Sequence, residues 1–212
     1  MKKIKNRVLF SKIIRIFALS IFAQSEHRTI MATQNKTAEF EKVFYDDLHS
    51  YLVSLNCIDD HFPDAPDIEA CWAKIGESYM PDGLREFNKY PIVSLGWPVY
   101  IGMAVAKYWD EDWELYSKVE DLYKYLRDRI DFDHMDDYVC DKVLLLDANA
   151  KQKLQELVGE CASRTLSKLL HLGVAPGSQD AFFAYIAALH ELYLMGAAMQ
   201  LKTMGYHMTK VQ

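Results

Sequence analysis

The stretch that decides the fold is Ser178–Gly205, SQDAFFAYIAALHELYLMGAAMQLKTMG. Between Phe182 and Leu201 its only polar side chains besides tyrosine are His190, Glu191 and Gln200. A helix that is apolar on all sides is buried in protein or in a bilayer. Ser178 supplies an N-cap, Asp180 sits at the positive end of the helix dipole, and Gly205 supplies a stop. Ala184, Ala188, Gly196 and Ala197 leave room for a second helix to come close.

The natural neighbour is PIVSLGWPVYIGMAVA, residues 91–106, which carries no charge. Pro91 suits a first helical turn, and Pro98 predicts a kink or a split. Lys107, Asp110 and Glu111 follow directly, so this interrupted run falls short of the roughly 20 apolar residues that cross a bilayer. Gly102 and Ala106 match the small residues of the other stretch. Two largely buried core helices, about 91–109 and 178–204, are therefore expected.

Working outward, the remaining segments read as amphipathic helices. Thr37 predicts a cap for a helix to about Leu55, whose apolar face holds Phe40, Phe44, Leu48 and Leu52. Asn56 to Pro66 reads as a loop. Asp67 predicts the cap of a helix to about Met80, and Pro81-Asp82-Gly83 its end, with a further turn or two over Leu84–Tyr90. Asp110 predicts the cap of a helix to about Ile130, with Trp113, Tyr116, Val119, Tyr123 and Leu126 on one face. Helices over about 133–146 and 150–172 follow, the latter stopped by Gly173. No stretch alternates with a strand period, so the expected fold is all-α, a single-domain bundle of about six to eight helices.

Residues 1–30 differ in kind, with seven cations and one acid. A basic stretch precedes the short apolar run Ile16–Ala23, and Ala23-Gln24-Ser25 resembles a cleavage site. The expected reading starts the folded protein at Met31, giving residues 31–212 as one domain in the cytoplasm; export follows instead if residues 1–25 are a signal peptide. An amphipathic basic helix lying on a membrane is a further alternative. Residues 31–212 carry 17 cations against 29 acids, a net −12. That field repels phosphate backbones, so nucleic acid is not an expected partner. The four cysteines, Cys57, Cys71, Cys140 and Cys161, form no CxxC pair and read as reduced thiols.

Four groups of residues are candidates for chemistry. His134, Asp137 and Asp141 fall at i, i+3, i+7, a spacing that offers hard ligands for magnesium or manganese on one helix face. Asp136-Asp137 with Asp141 resembles the aspartate-rich motif of class I terpenoid synthases, and that resemblance implies a divalent metal, a diphosphate substrate and an all-helical fold. On the helical wheel, however, Phe132, Met135, Val139 and Val143 form the apolar face, and the three ligands lie nearly opposite, toward solvent. A second acidic group, Asp59, Asp60, His61, Asp64 and Asp67, sits in a loop without the glycine and ligand alternation of a calcium loop.

His190 is the polar group expected to be buried in the last helix, beside Tyr193 and Leu194, while Glu191 lies on a small and charged edge expected to reach water. The aromatic set Trp97, Tyr100, Tyr108, Trp109 and Trp113 can either fill the core or line an apolar pocket. The chain carries no phosphate loop, nucleophile elbow, HExxH or GxGxxG. The expected function is a non-enzymatic helical domain, homodimeric, that binds a protein partner or a small apolar ligand through Trp97, Tyr100, Trp109, His190 and Tyr193. The alternatives are a metal- or diphosphate-dependent enzyme built on the Asp133–Asp141 cluster and an envelope-associated structural protein.

Overall fold

Ser178 caps the last helix as expected, its hydroxyl accepting from Ala181 N at 3.1 Å, and the helix runs Gln179–Thr203 before Gly205 turns the chain at φ 90°. A computed structural model describes residues 28–61, 64–130 and 132–206, with side chains from residue 36 onward. Among these, seven α-helices and no strand are present, an all-α helical bundle. The helices are α1 Arg28–Ser54, α2 Pro66–Phe87, α3 Pro91–Tyr116, α4 Leu122–Arg127, α5 Met135–Tyr138, α6 Ala148–His171 and α7 Gln179–Thr203. A 3₁₀ turn, Phe132–His134, precedes α5, and a π turn, Val139–Val143, follows it. The chain divides into two units within α1, and the second, Phe40–Gln212, holds the hydrophobic core.

The pairing of α3 with α7 makes the centre of the bundle. It is close because Gly102 and Gly196 face each other's helix. A Cβ on Gly102 would collide with the Tyr193 carbonyl oxygen, and one on Gly196 with that of Val99. Side chains are therefore excluded where the two backbones cross, as the small residues of both stretches foreshadow. From Leu95 to Ala106 every residue of α3 is buried, and α7 is buried almost as completely. Helices α2 and α6 each pack against both. From α1, Phe44, Leu48 and Leu52 enter the core, and Asp47 holds Arg164 and Lys168 of α6 at 3.1 and 3.4 Å.

Pro98 does not split the helix; the non-helical residue within α3 is Asp112, at φ −163° and ψ 78°. Proline leaves the carbonyl four residues back without a donor. That carbonyl belongs to Ser94, and the Tyr79 hydroxyl donates to it at 2.6 Å. The lost bond is thus replaced from α2. The Ser94 hydroxyl donates to the Gly83 carbonyl at 2.9 Å, and Tyr185 O–H donates to Ser94 Oγ at 2.6 Å. One buried network ties α2, α3 and α7 together.

The same network explains a second departure. Pro81-Asp82-Gly83 does not end α2, which continues to Phe87. Gly83 is buried because Tyr79 and the Tyr185 hydroxyl pass where its Cβ would stand. Tertiary contact outweighs local propensity here. The start of α2 also differs: Ala65 precedes it, Pro66 takes the first turn, and Asp67 lies inside rather than capping.

Three further boundaries move. Thr37 lies inside α1, because no glycine or proline interrupts Arg28–Ser54. The helix expected over Asp110–Ile130 is broken, with α3 ending at Tyr116 and α4 starting at Leu122. Two aspartates cause the break by capping: Asp112 accepts from Leu115 N, and Asp121 from Lys124 N, both at 3.0 Å. The helix expected over 133–146 is irregular, yet its apolar face is as expected, with Phe132, Met135, Val139 and Val143 buried. Helix α6 follows the expectation, with Asp147 capping it at 2.8 Å and Gly173 at φ 70° beyond its end.

Candidate functional site

Glu41 of α1 and Trp72 of α2 both meet His190 of α7, and the residues around them form the candidate site. On α7 one stripe reads His190, Glu191, Leu194, Ala197, Ala198 and Leu201, spaced at three and four. His190 places Nδ1 3.1 Å from Glu41 Oε1 on α1. Because a carboxylate only accepts, Nδ1 carries the proton and Nε2 is left as an acceptor in the neutral ring. The ring stacks on Trp72 of α2, with centroids 5.2 Å apart and planes at 16°. Gly76 makes room for that indole, whose atoms would lie 3.1 Å from a Cβ there. Tyr193 donates to the Ile68 carbonyl at 2.7 Å and tilts against Trp72. This pins α2 to α7 beside the site.

Glu191 corrects the sequence reading. Its small and charged edge does not reach water: Glu191 is 6% exposed, and Ala184, Ala187 and Ala198 of the same edge are buried. Small residues mark that edge because neighbours close over it. His190, expected to be the buried polar group, keeps 16% of its side chain exposed. Glu191 Oε2 and His190 Nε2 are both buried and have no hydrogen-bond partner on the protein among the described residues. Burial, reinforced by the charges of Glu41 and Glu69, pushes the Glu191 carboxyl up to about 8. Across from it on α1, burial and then the charge of Glu191 raise the Tyr45 phenol. At neutral pH this is a protonated carboxyl between two carboxylates, short of positive charge.

One turn further along α7 a cavity of about 220 Å³ opens between α2 and α7. Ala65, Ile68, Leu194, Ala197, Ala198 and Leu201 make its apolar wall, and Glu69 is its one charged residue. Glu69 therefore belongs both to the cavity and to the charges acting on Glu191.

The other residues singled out in the sequence lie elsewhere. Trp97 and Tyr100 are core residues, 6% and 3% exposed, packed edge-on to each other and, for Trp97, to Phe132. Trp109 is half-buried against Tyr206 at the end of the bundle, 5.5 Å between centroids. The five expected binding residues fall in separate places: Trp97 and Tyr100 pack together in the core, His190 and Tyr193 lie against Trp72, and Trp109 stands apart beside Tyr206.

His134 is exposed, and Asp137 and Asp141 hold Lys151 of α6 at 2.8 and 2.9 Å. The ammonium lies where a cation between these two carboxylates would lie. In the other acidic group, Asp59 pairs with Lys202 at 3.0 Å, and the Asp60 carbonyl lies 3.0 Å from His49 Nε2. Among the described residues no three His, Cys, Asp or Glu groups converge as a metal site.

The sequence reading missed Glu41, Tyr45, Glu69 and Trp72. The one signal for the site was His190-Glu191 as adjacent polar residues in an otherwise apolar helix. No protein-family model matches the chain, and neither a curated protein nor a solved structure matches it.

Proposed function

We propose that the protein is a binding module that takes a small, mainly apolar molecule into the groove between α2 and α7. The observation that carries this reading is the cavity between α2 and α7, lined by apolar residues and by Glu69. Binding sites combine an apolar lining with a few placed polar groups, and this corner has both. Cavities of about 150 Å³ already hold a benzene ring. A cavity of about 220 Å³ suits a molecule of one ring or a short alkyl chain.

The test is thermal unfolding of the full chain with cyclohexanol, cyclohexylamine and indole as probes. A ligand that binds only the folded state at a hundred times its Kd adds about 2.7 kcal/mol, several degrees in Tm. At least one probe is expected to do so, and Leu194→Trp, which fills the half-exposed side of the cavity, to abolish the gain. If no probe shifts Tm, the reading fails. Native mass spectrometry of the same sample tests the proposed homodimer.

A further inference from the structure

The side chains that line the α2–α7 cavity can accept a hydrogen bond but cannot donate one. Those of Ala65, Ile68, Leu194, Ala197, Ala198 and Leu201 carry no polar atom, which leaves Glu69 as the one polar side chain of the wall. An ionised carboxylate has acceptor oxygens and no donor. Glu69 is exposed, and among the described residues no hydrogen bond or ion pair engages its side chain. Its oxygens are therefore open to a ligand. The cation next along α7, Lys202 beside Leu201, is committed elsewhere. Its ammonium is held by Asn56 Oδ1 at 2.8 Å, the Ile58 carbonyl at 3.0 Å and Asp59 at 3.0 Å, and its side chain is only 16% exposed.

Resting on the binding-module reading, we infer that the ligand presents a hydrogen-bond donor to Glu69, as an alcohol does, and that the cavity turns away ketones and carboxylates of the same body. Glu69 is then the specificity-determining residue of the site. A hydroxyl seated at the rim donates to the carboxylate while its hydrocarbon body fills the apolar wall. A bond to a charged acceptor, discounted for exposure, is worth about tenfold in affinity. A ketone of the same shape brings only an acceptor, so it forgoes that bond and sets its oxygen against those of Glu69. A carboxylate does the same and adds like charge, with the net −12 of residues 31–212 opposing its approach.

The experiment is a ligand-observed NMR titration of the full chain at pH 7 with cyclohexanol, cyclohexanone and cyclohexanecarboxylate, which share a ring and differ in the polar group. Cyclohexanol is expected to bind about tenfold more tightly than cyclohexanone, and the carboxylate more weakly than either. Glu69→Gln keeps an acceptor and adds a donor, so cyclohexanone and the carboxylate are expected to gain and the three affinities to draw within roughly twofold of one another. Glu77→Gln removes the same charge from an exposed position further along α2 and is expected to leave the order unchanged. If the three compounds bind the native chain equally, or the carboxylate binds best, the donor inference falls and the apolar pocket stands. It falls equally if Glu69→Gln leaves the order intact or if Glu77→Gln erases it. If none of the three binds, the pocket falls with it.

Discussion

Replacing Glu191 by glutamine should change how stability depends on pH, and the change can be worked from the burial of that one group. In the unfolded chain a glutamate titrates near pH 4.3. In the folded chain Glu191 titrates near 8, because burial and then Glu41 and Glu69 disfavour its charge. Below about pH 4 both states hold the proton and the group costs nothing. Above that, the unfolded chain releases the proton while the folded chain keeps it, so stability falls as pH rises, until both have released it above pH 8. Each pH unit within the window is worth about 1.4 kcal/mol. Between pH 5 and pH 8 the native protein should therefore lose on the order of 3 kcal/mol relative to Glu191→Gln. That corresponds to roughly 6–12 °C in Tm for a chain of this size. Glutamine has its own unmet hydrogen bonds, but they add a constant offset and leave the slope untouched. The assay is thermal unfolding of both proteins at half-unit steps from pH 4.5 to 9. Parallel curves would refute the reasoning, since they would mean that Glu191 is ionised in the folded state at neutral pH.

Other expectations rest on the same packing. Ser94→Ala removes the partner of the buried Tyr185 hydroxyl and should cost about 1–3 kcal/mol, read as a lower urea midpoint with an unchanged m-value. Tyr79→Phe strips the Ser94 carbonyl of the donor that stands in for Pro98 and should cost a similar amount, and the two losses should fail to add because they share one network. Gly196→Ala drives a methyl into the Val99 carbonyl and should destabilise by about 3 kcal/mol or more, whereas Gly159→Ala, with nothing near its Cβ, should stabilise α6 by about 0.5–1 kcal/mol. Burial pushes the thiols of Cys140 and Cys161 up to about 12, so a thiol reagent at pH 8 should label the half-buried Cys57 and Cys71 in the folded protein and all four after unfolding.

The central pair of helices was legible in the sequence because burial on all sides leaves a mark in composition that needs no knowledge of neighbours. Segment ends were less legible, and the reason is specific. Pro98 and Gly83 carry the letters of a kink and a stop, yet both lie in continuous helix. What overrides them is a tyrosine hydroxyl fifteen residues from Ser94 and an aromatic ring that fits only over a missing Cβ. Local rules weigh a proline by the bond it loses, and cannot see a donor arriving from another helix. Conversely, Asp112 and Asp121 broke a well-formed amphipathic pattern because a capping bond is made within three residues and needs no neighbour at all.

The candidate site was half legible for a related reason. A helical wheel gives the direction of a side chain but not what closes over it. Glu191 was placed at the water's edge because its stripe holds alanines and charges, and alanine is as much the residue of a close contact as of a surface. Among the described residues, four buried side-chain atoms lack a partner: Trp97 Nε1, Arg127 Nε, His190 Nε2 and Glu191 Oε2. Arg127 Nε still lies 3.5 Å from Asp82. The other three are not equivalent. Trp97 offers a weakly solvated N–H among aromatic rings. His190 and Glu191 are adjacent in the chain, flank two further acids and stand one turn from a cavity. A fold that replaces the bond lost at Pro98 with a donor from another helix has the means to satisfy such groups, and here, in the middle of its most buried helix, it does not. As pH rises from 5 to 8, the carboxyl becomes steadily more costly relative to a neutral side chain at position 191. The buried carboxyl is thus a burden on folding at neutral pH, and a stability that falls as pH rises is its measurable consequence.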